Sequence, residues 1–332
     1  MPEKQNEIYS NNSIISNDRL IFPVVREYIR CTSELSRIGI FSSLMKSENA
    51  NVIGIDGKEY PLPTQEQVTE LFSENRELVN QKFLQGFDRL EVVPLCIPLP
   101  FLLETLKSAI LLHEAESKIF RTRQHPEDPL VPVRVNGSNQ VWIWDTLLSA
   151  IDNGVLQYFP EEYSSTPHGQ SKSDIIHNGQ ICAFPGWSVG IVESQSVMPG
   201  QGQGRTLSGR KQLETGLSPR EYLQILKESP YRGESGITLE EFVVRFLAHL
   251  EATGEVSNDI GDCNAVWCLG QYLKISYAEL VPTGRWIRDV GRVRLDMHRT
   301  GNKECTKNWG AATTVRLVQP EMKAKEESDG HI

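Results

Sequence analysis

The alternation of apolar and polar positions divides the chain into helical stretches, short extended runs and long polar loops. From Leu20 to Met45 the apolar positions Phe22, Val25, Ile29, Leu35 and Ile38 recur at helical spacing, with an interruption near Gly39. VIGIDGKEY (52–60) predicts a hairpin, because Asp56-Gly57 tolerates the positive φ angles of a tight two-residue turn. Thr64 and Gln67 form a capping box that opens a helix to about Gln85, with Val68, Leu71, Phe72, Leu78 and Val79 facing inward. An extended run from Leu90 to Cys96 follows. A proline-started helix then spans about Pro100 to Phe120, its apolar face including Leu103, Leu106, Ile110 and Leu111.

Residues 122–140 hold several prolines and little periodicity, and so mark the best boundary or linker in the chain. Beyond it the pattern is mixed. Val141–Trp144 predicts a short strand, and Asp145 caps a helix through Ile151. Residues 160–180 are polar and irregular. Trp187, Val189, Ile191 and Val192 then form a buried strand. Two capping boxes, Ser218/Glu221 with Pro219 and Thr238/Glu241, start helices, the second stopping at Gly254. Residues 256–280 read either way. Arg285–Met297 has period two and predicts one strand, and residues 311–318 predict a last one.

The expected class is α+β: a helical N-terminal part followed by a mixed α/β part with a central sheet. The expected organisation is a disordered N-terminus (1–17), a mainly helical region (18–125), a mixed region with a glycine-rich basic loop (126–318) and a disordered tail (319–332). One continuous domain is the alternative.

Charge adds detail to this picture. The 332-residue chain has a formal net charge of −9, which argues against non-specific nucleic-acid binding. Two islands depart from it. Residues 198–211 hold Arg205, Arg210 and Lys211 with no acid, and residues 285–299 hold five arginines against Asp289 and Asp296. Each island is +3, which leaves −15 for the rest.

The first island follows the central strand and carries glycines at 200, 202, 204 and 209. Gly204 and Gly209 have the spacing of a P-loop, yet Arg210 and Lys211 stand where that motif needs lysine and a hydroxyl. Nucleotide hydrolysis by that route is therefore not expected. A looser anion site is, with backbone N–H groups beside Arg205, Arg210 and Lys211; a mobile surface loop with solvated bases is the alternative. On the second island, period two places Arg288, Arg292 and Arg294 on one face and aliphatic residues on the other. Side-by-side arginines repel unless an anion or carboxylates lie among them, so pairing with the chain's own acids competes with ligand binding.

Other candidate chemistry is weaker. Gly186-Trp187-Ser188-Val189-Gly190 matches the nucleophile-elbow pattern, and Asp289 and His298 follow in the chain. The residues after Ser188 continue a strand instead of starting the required helix. Cys263 and Cys268 lack zinc-knuckle spacing, and His249 falls within a helix, where packing or solvation explains it. The tryptophans at 142 and 144 share a face, for which core packing is the default.

The six cysteines show no disulfide-framework spacing, the N-terminus lacks the regions of a secretory signal, and no apolar run approaches the ~20 residues that span a bilayer. The expectation is a cytoplasmic protein with reduced thiols and no membrane partner.

The combination VWIWD (141–145), GWSVGIVE (186–193), GQGRTLSGRKQLETGLSPREYL (202–223) and TLEEFVVRFLAHLEATGEV (238–256) resembles a family of bacterial proteins over roughly the C-terminal two-thirds of the chain. The resemblance implies a bacterial, cytoplasmic, globular protein, and it carries over no catalytic or binding residue.

Three functions remain open. The favoured one is binding of an anionic ligand or acidic partner through Arg205, Arg210, Lys211, Arg288 and Arg292. The second is an enzyme acting on a phosphorylated or carboxylated small molecule, and the third a structural protein whose basic islands are solvated. No cofactor and no metal site is assigned.

Overall fold

A computed structural model describes residues 20–41, 50–123, 125–164, 169–194, 198–259, 265–301 and 308–319. The N-terminal elements are α1 (Val24–Arg37), β1 (Asn51–Ile53), β2 (Glu59–Pro61), α2 (Gln65–Glu74), α3 (Arg76–Leu84), β3 (Phe87–Pro94) and α4 (Leu99–Ala115). Then come β4 (Val141–Ile143), α5 (Asp145–Asp152), β5 (Gln157–Tyr158), α6 (Lys172–Ile175), β6 (Trp187–Glu193), β7 (Thr206–Leu207), β8 (Arg210–Lys211) and α7 (Pro219–Leu226). The chain continues with β9 (Glu234–Gly236), α8 (Leu239–Thr253), β10 (Ala265–Trp267), β11 (Gln271–Ile275), β12 (Ala278–Ile287), β13 (Arg292–Arg299), β14 (Trp309–Ala311) and β15 (Thr313–Arg316). The fold is α+β. Among the described residues, no helix is long and apolar enough to cross a membrane.

Two sheets organise the molecule. The smaller has the order β3-β6-β15-β9 and is antiparallel throughout. In the larger, β12 pairs along one edge with β10 and β11 and along the other with β13; β14 joins β10, β5 joins β11, and β4 joins β13. Helix α8 packs against both, touching β3 of the small sheet and β12 of the large one. Gly284 on β12 allows this approach, because a Cβ there would lie 2.3 Å from a ring carbon of Phe242. Helix α8 is therefore buried on most sides, and its two internal acids are fully paired. Glu240 accepts from Tyr158, Lys172 and Gln271 at 2.7–2.9 Å, and Glu241 pairs with Arg316 at 2.5 Å.

The proline-rich stretch 122–140 separates neither sheet nor core: β3 before it pairs with β6 after it over seven registered positions from Phe87 to Pro94. The expected loose ends, 1–17 and 319–332, lie outside the described residues apart from Gln319.

The capping boxes at Thr64, Ser218 and Thr238 all form. Several local expectations change. The 64–85 helix breaks at Asn75, whose buried amide donates to Leu71 O and Val318 O at 2.9 Å and so ties the kink to the segment just beyond β15. In the first hairpin the strands end at Ile53 and Glu59, so the connection is five residues long, with Gly57 at φ 74°. Asp145 does not cap α5; Trp144 holds that position and Asp145 begins the helix. In α1, Val25 and Ile29 face water while Glu27 and Glu34 turn inward, because Arg30 and Arg89 pair with them.

The single strand expected over 285–297 is two strands. Strand β12 ends at Ile287, residues 288–291 turn, and β13 begins at Arg292, with Gly291 at φ 69°. A Cβ on Gly291 would lie 2.3 Å from Arg134 O, so this turn also requires the missing side chain.

Candidate functional site: the outer face of the larger sheet

The five cations named from the sequence have different surroundings. In the glycine-rich stretch, Thr206–Lys211 folds as a tight hairpin whose turn residues Ser208 and Gly209 both have positive φ (45° and 80°). This places Arg210 in the interior, 1% exposed. Its Nε and Nη2 each donate to Glu234 at 2.7 Å, Nη1 pairs with Glu193, and its guanidinium carbon lies 4.6 Å from the Phe87 ring centre. Lys82 Nζ adds a second buried cation 2.7 Å from Glu234. Burial pushes the Lys82 ammonium down and the Glu193 carboxyl up, while in Arg210 the paired carboxylates outweigh burial and hold the guanidinium charged.

Lys211 Nζ pairs with Glu214 at 2.9 Å. Glu214 also accepts from Gly204 N at 2.8 Å. The bond from Lys211 and those from the loop's backbone N–H groups hold its carboxyl at about 2. The backbone donors expected to cradle a ligand thus hold a carboxylate of the same chain. Arg205 binds the side-chain oxygen of Gln212 through its backbone N at 3.2 Å and its Nε at 3.4 Å.

On the second island, Arg288 lies in the hairpin turn and does not share a strand face with Arg292. Its Nε donates to Asp259 Oδ1 at 3.0 Å and its Nη2 to Asp259 O at 2.6 Å. Burial raises the Asp259 carboxyl, and Arg288 opposes that shift.

Arg292 differs. It lies on β13 with Arg294, while Val293 and Leu295 between and beyond them are fully buried on the inner face. Across the hairpin, Arg285 on β12 registers with Arg294, and Ile287 with Arg292. On the other side of β13, Trp142 of β4 registers with Arg294. The guanidinium carbons of Arg294 and Arg292 lie 4.7 and 5.8 Å from the Trp142 ring centre, and that of Arg285 lies 4.9 Å from the ring of Trp309. This face carries three arginines, two beside the half-buried Trp142 and one over Trp309, which is itself buried in a second hydrophobic cluster with Tyr222, Trp267 and Val281.

Among the described residues, Asp296 sits with these arginines. Asp296 Oδ2 is 2.6 Å from Arg294 Nη2 and 3.7 Å from His298 Nε2. Burial works against its charge, but His298 and Arg294 outweigh burial and hold the carboxyl at about 2. Asp296 is thus committed to Arg294. Among the described residues, no carboxylate lies within ion-pair distance of Arg292, and its buried Nε has no hydrogen-bond partner.

A third segment links the neighbourhoods of the two islands: Gly216 N, five residues beyond the first, donates to Trp309 O at 2.9 Å, and Arg285 of the second stands over the same tryptophan. Arg210 turns to Glu193 and Glu234. Of the five residues named from sequence, the structure puts Arg292 on the outer arginine face and pairs Arg210, Lys211 and Arg288 with carboxylates. Arg285 and Arg294 complete the face. The signal for the break between β12 and β13 was a change of parity: the outward arginine of β12 is odd-numbered (Arg285), those of β13 are even-numbered (Arg292, Arg294), and Val290 in the turn falls out of step with Ile287, Val293 and Leu295.

Other candidates have structural places. Ser188 is 2% exposed near the start of β6, opposite Val93, and the strand runs on through Glu193 without an elbow at the serine. Cys268 is buried, and burial pushes its thiol well above the ordinary range; Cys263 lies outside the described residues. Among the described residues, no group of histidine, cysteine, aspartate or glutamate could hold a metal ion. Compared with known proteins, the chain matches no family model, no curated protein and no solved structure.

Proposed function

We propose that this chain binds an anionic group, a phosphate or carboxylate of a small molecule or of an acidic partner, on the outer face of the larger sheet. The observation that carries the reading is Arg292, a guanidinium beside the Trp142 ring with no carboxylate of its own among the described residues. Its neighbours Arg294 and Arg285 add positive charge, and Asp296 returns part of it. A guanidinium held against an aromatic face keeps its N–H edge available for paired bonds to two oxygens, and ordering it on the ring removes rotamer freedom before the anion arrives. The glycine-rich segment has a scaffolding part in this reading, because Arg210 and Lys211 are matched by Glu193, Glu234 and Glu214 and Arg205 is bound to Gln212. A reducing, cytoplasmic setting agrees with the four described cysteines, which are free and buried.

Mass action supplies the test. A ligand that binds only the folded state raises the melting temperature as its concentration passes the dissociation constant. Millimolar inorganic phosphate or sulfate raises the wild-type melting temperature, and Arg292→Ala or Arg294→Ala abolishes the rise. A wild-type curve indifferent to these anions, or an undiminished rise in Arg292→Ala, refutes the proposal.

A further inference from the structure

A cavity of about 180 Å³ lies between α1, β3 and α8 and reaches the end of β6 and the segment joining β14 to β15. Its apolar wall includes Leu35, Val92, Phe242 and Ala248. Its polar wall is built from ion pairs whose members differ in how fully they are used. Arg245 binds Glu91 through two bonds of 2.6 and 2.7 Å and also meets Thr314. Arg30 is spent on Glu27 at 2.9 Å, Glu34 at 2.6 Å and Leu90 O at 2.7 Å. Arg210, which also lines this space, is held by Glu193 and Glu234.

Arg89 is the exception. Among the described residues it makes one bond, from Nη2 to Glu34 at 3.2 Å, and that carboxylate is shared with Arg30. Near it on the cavity wall is His249, whose Nε2 is buried without a hydrogen-bond partner. Burial lowers the basicity of this imidazole; Glu255 opposes the effect and Arg89 adds to it, so the ring is neutral. A buried polar atom left unpaired costs about 1–3 kcal/mol, and a ligand oxygen at Nε2–H would remove that cost.

We infer that this cavity is a second binding site, for a small monocarboxylate with an apolar body, the carboxylate lying between Arg89 and His249. The walls argue for each part. One under-used guanidinium and one neutral imidazole suit a single negative charge, whereas Glu34, Glu91 and Glu193 on the same wall repel a second one. The arginines disfavour a cation. The apolar wall gains by covering hydrocarbon, at about 25 cal/mol per Å² removed from water. An engineered cavity of about 150 Å³ is known to hold benzene, so 180 Å³ suits a ring or branched chain of comparable size. Filled with solvent instead, the space would hold about six waters at ~30 Å³ each.

This site is independent of the outer sheet face, and the two fail separately. Benzoate is the probe, its neutral isostere benzamide the control, and calorimetric titration of the full chain the measurement. Benzoate binds at least tenfold more tightly than benzamide; Arg89→Met removes that preference, Ala248→Leu fills the space and abolishes binding, and Arg292→Ala changes neither. In protein labelled with ¹⁵N at histidine, benzoate shifts the His249 ring resonances, a readout that needs no variant to fold. Equal affinity for benzoate and benzamide, unchanged benzoate binding in folded Ala248→Leu, no benzoate binding by the wild type, or unmoved His249 resonances would each overturn the inference.

Discussion

Replacing Glu234 by glutamine tests whether the glycine-rich segment spends its charge internally. Glu234 has a fully buried side chain that accepts from Lys82 Nζ, Arg210 Nε and Arg210 Nη2, all at 2.7 Å, and from Thr313 Oγ1 at 3.0 Å. Glu234→Gln keeps the shape and removes the charge, leaving two buried cations with Glu193 as their nearest compensation. Breaking a buried pair by removing one partner costs about 3–5 kcal/mol. The entropy of unfolding is about 2.1 cal/mol/K per residue, which for 332 residues is about 0.7 kcal/mol/K and converts the loss into a fall of about 4–7 °C in melting temperature. Burial already pushes Lys82 toward its neutral form, so a second change, Lys82→Met, recovers part of the fall by removing a charge that has lost its counter-ion. Lys211→Ala is the internal control: its ammonium side chain is 51% exposed, and such a pair contributes about 0–1 kcal/mol. Thermal denaturation followed by circular dichroism measures all four proteins. A Glu234→Gln variant melting within about 1 °C of wild type would show that Arg210 and Lys82 are not held by this carboxylate, and Arg210 would return as a ligand-binding candidate.

The remaining predictions concern acid stability and packing. Asp296 is held at about 2, below the ordinary carboxylate range, so its contribution is present above ~4 and lost as pH falls toward 2. Consequently the urea midpoint of Asp296→Asn falls less than that of wild type between about pH 5 and about pH 3; equal slopes would contradict the ion pair with Arg294. Gly284→Ala sets a methyl 2.3 Å from Phe242 and forces α8 away from β12, destabilising the protein by about 1–3 kcal/mol in chemical denaturation. Thr238→Ala removes the cap of α8 at a fully buried position and costs about 0.5–2 kcal/mol; an unchanged midpoint would show that Glu241 alone secures that helix start.

Local chemistry was legible in the sequence wherever one turn of chain decides the outcome. The boxes at Thr64, Ser218 and Thr238 form because cap and acceptor lie three residues apart and need nothing distant. The helix-to-mixed progression and the central strand at Trp187 were readable for the same reason. What long-range pairing decides was not. Nothing near Arg210 in the chain announces that Glu234, 24 residues on, and Lys82 will meet it, so a buried ion cluster read as an exposed basic loop. The inward acids of α1 share this origin only in part: Arg30 pairs with Glu27 and Glu34 within the helix, and Arg89, 55 residues away on β3, adds the distant bond to Glu34. The hairpin within 285–297 was masked by Arg288, Arg292 and Arg294, which keep one parity across the turn, although Val290 falls on that same side, out of step with Ile287, Val293 and Leu295. The approach of Arg292 to Trp142 depends on β4 pairing in parallel with β13, a partnership that no local spacing encodes.

The most direct test of the account is the dissociation constant of inorganic phosphate, measured by calorimetry for wild type, for Arg292→Ala and for the double variant Arg205→Ala/Lys211→Ala. Hydrogen bonds to a charged group are worth about 1.5–3 kcal/mol, so Arg292→Ala weakens binding about 10- to 150-fold, while the double variant binds as wild type does. Unchanged affinity in Arg292→Ala together with lost affinity in the double variant would contradict it, and would place the anion on the glycine-rich hairpin instead.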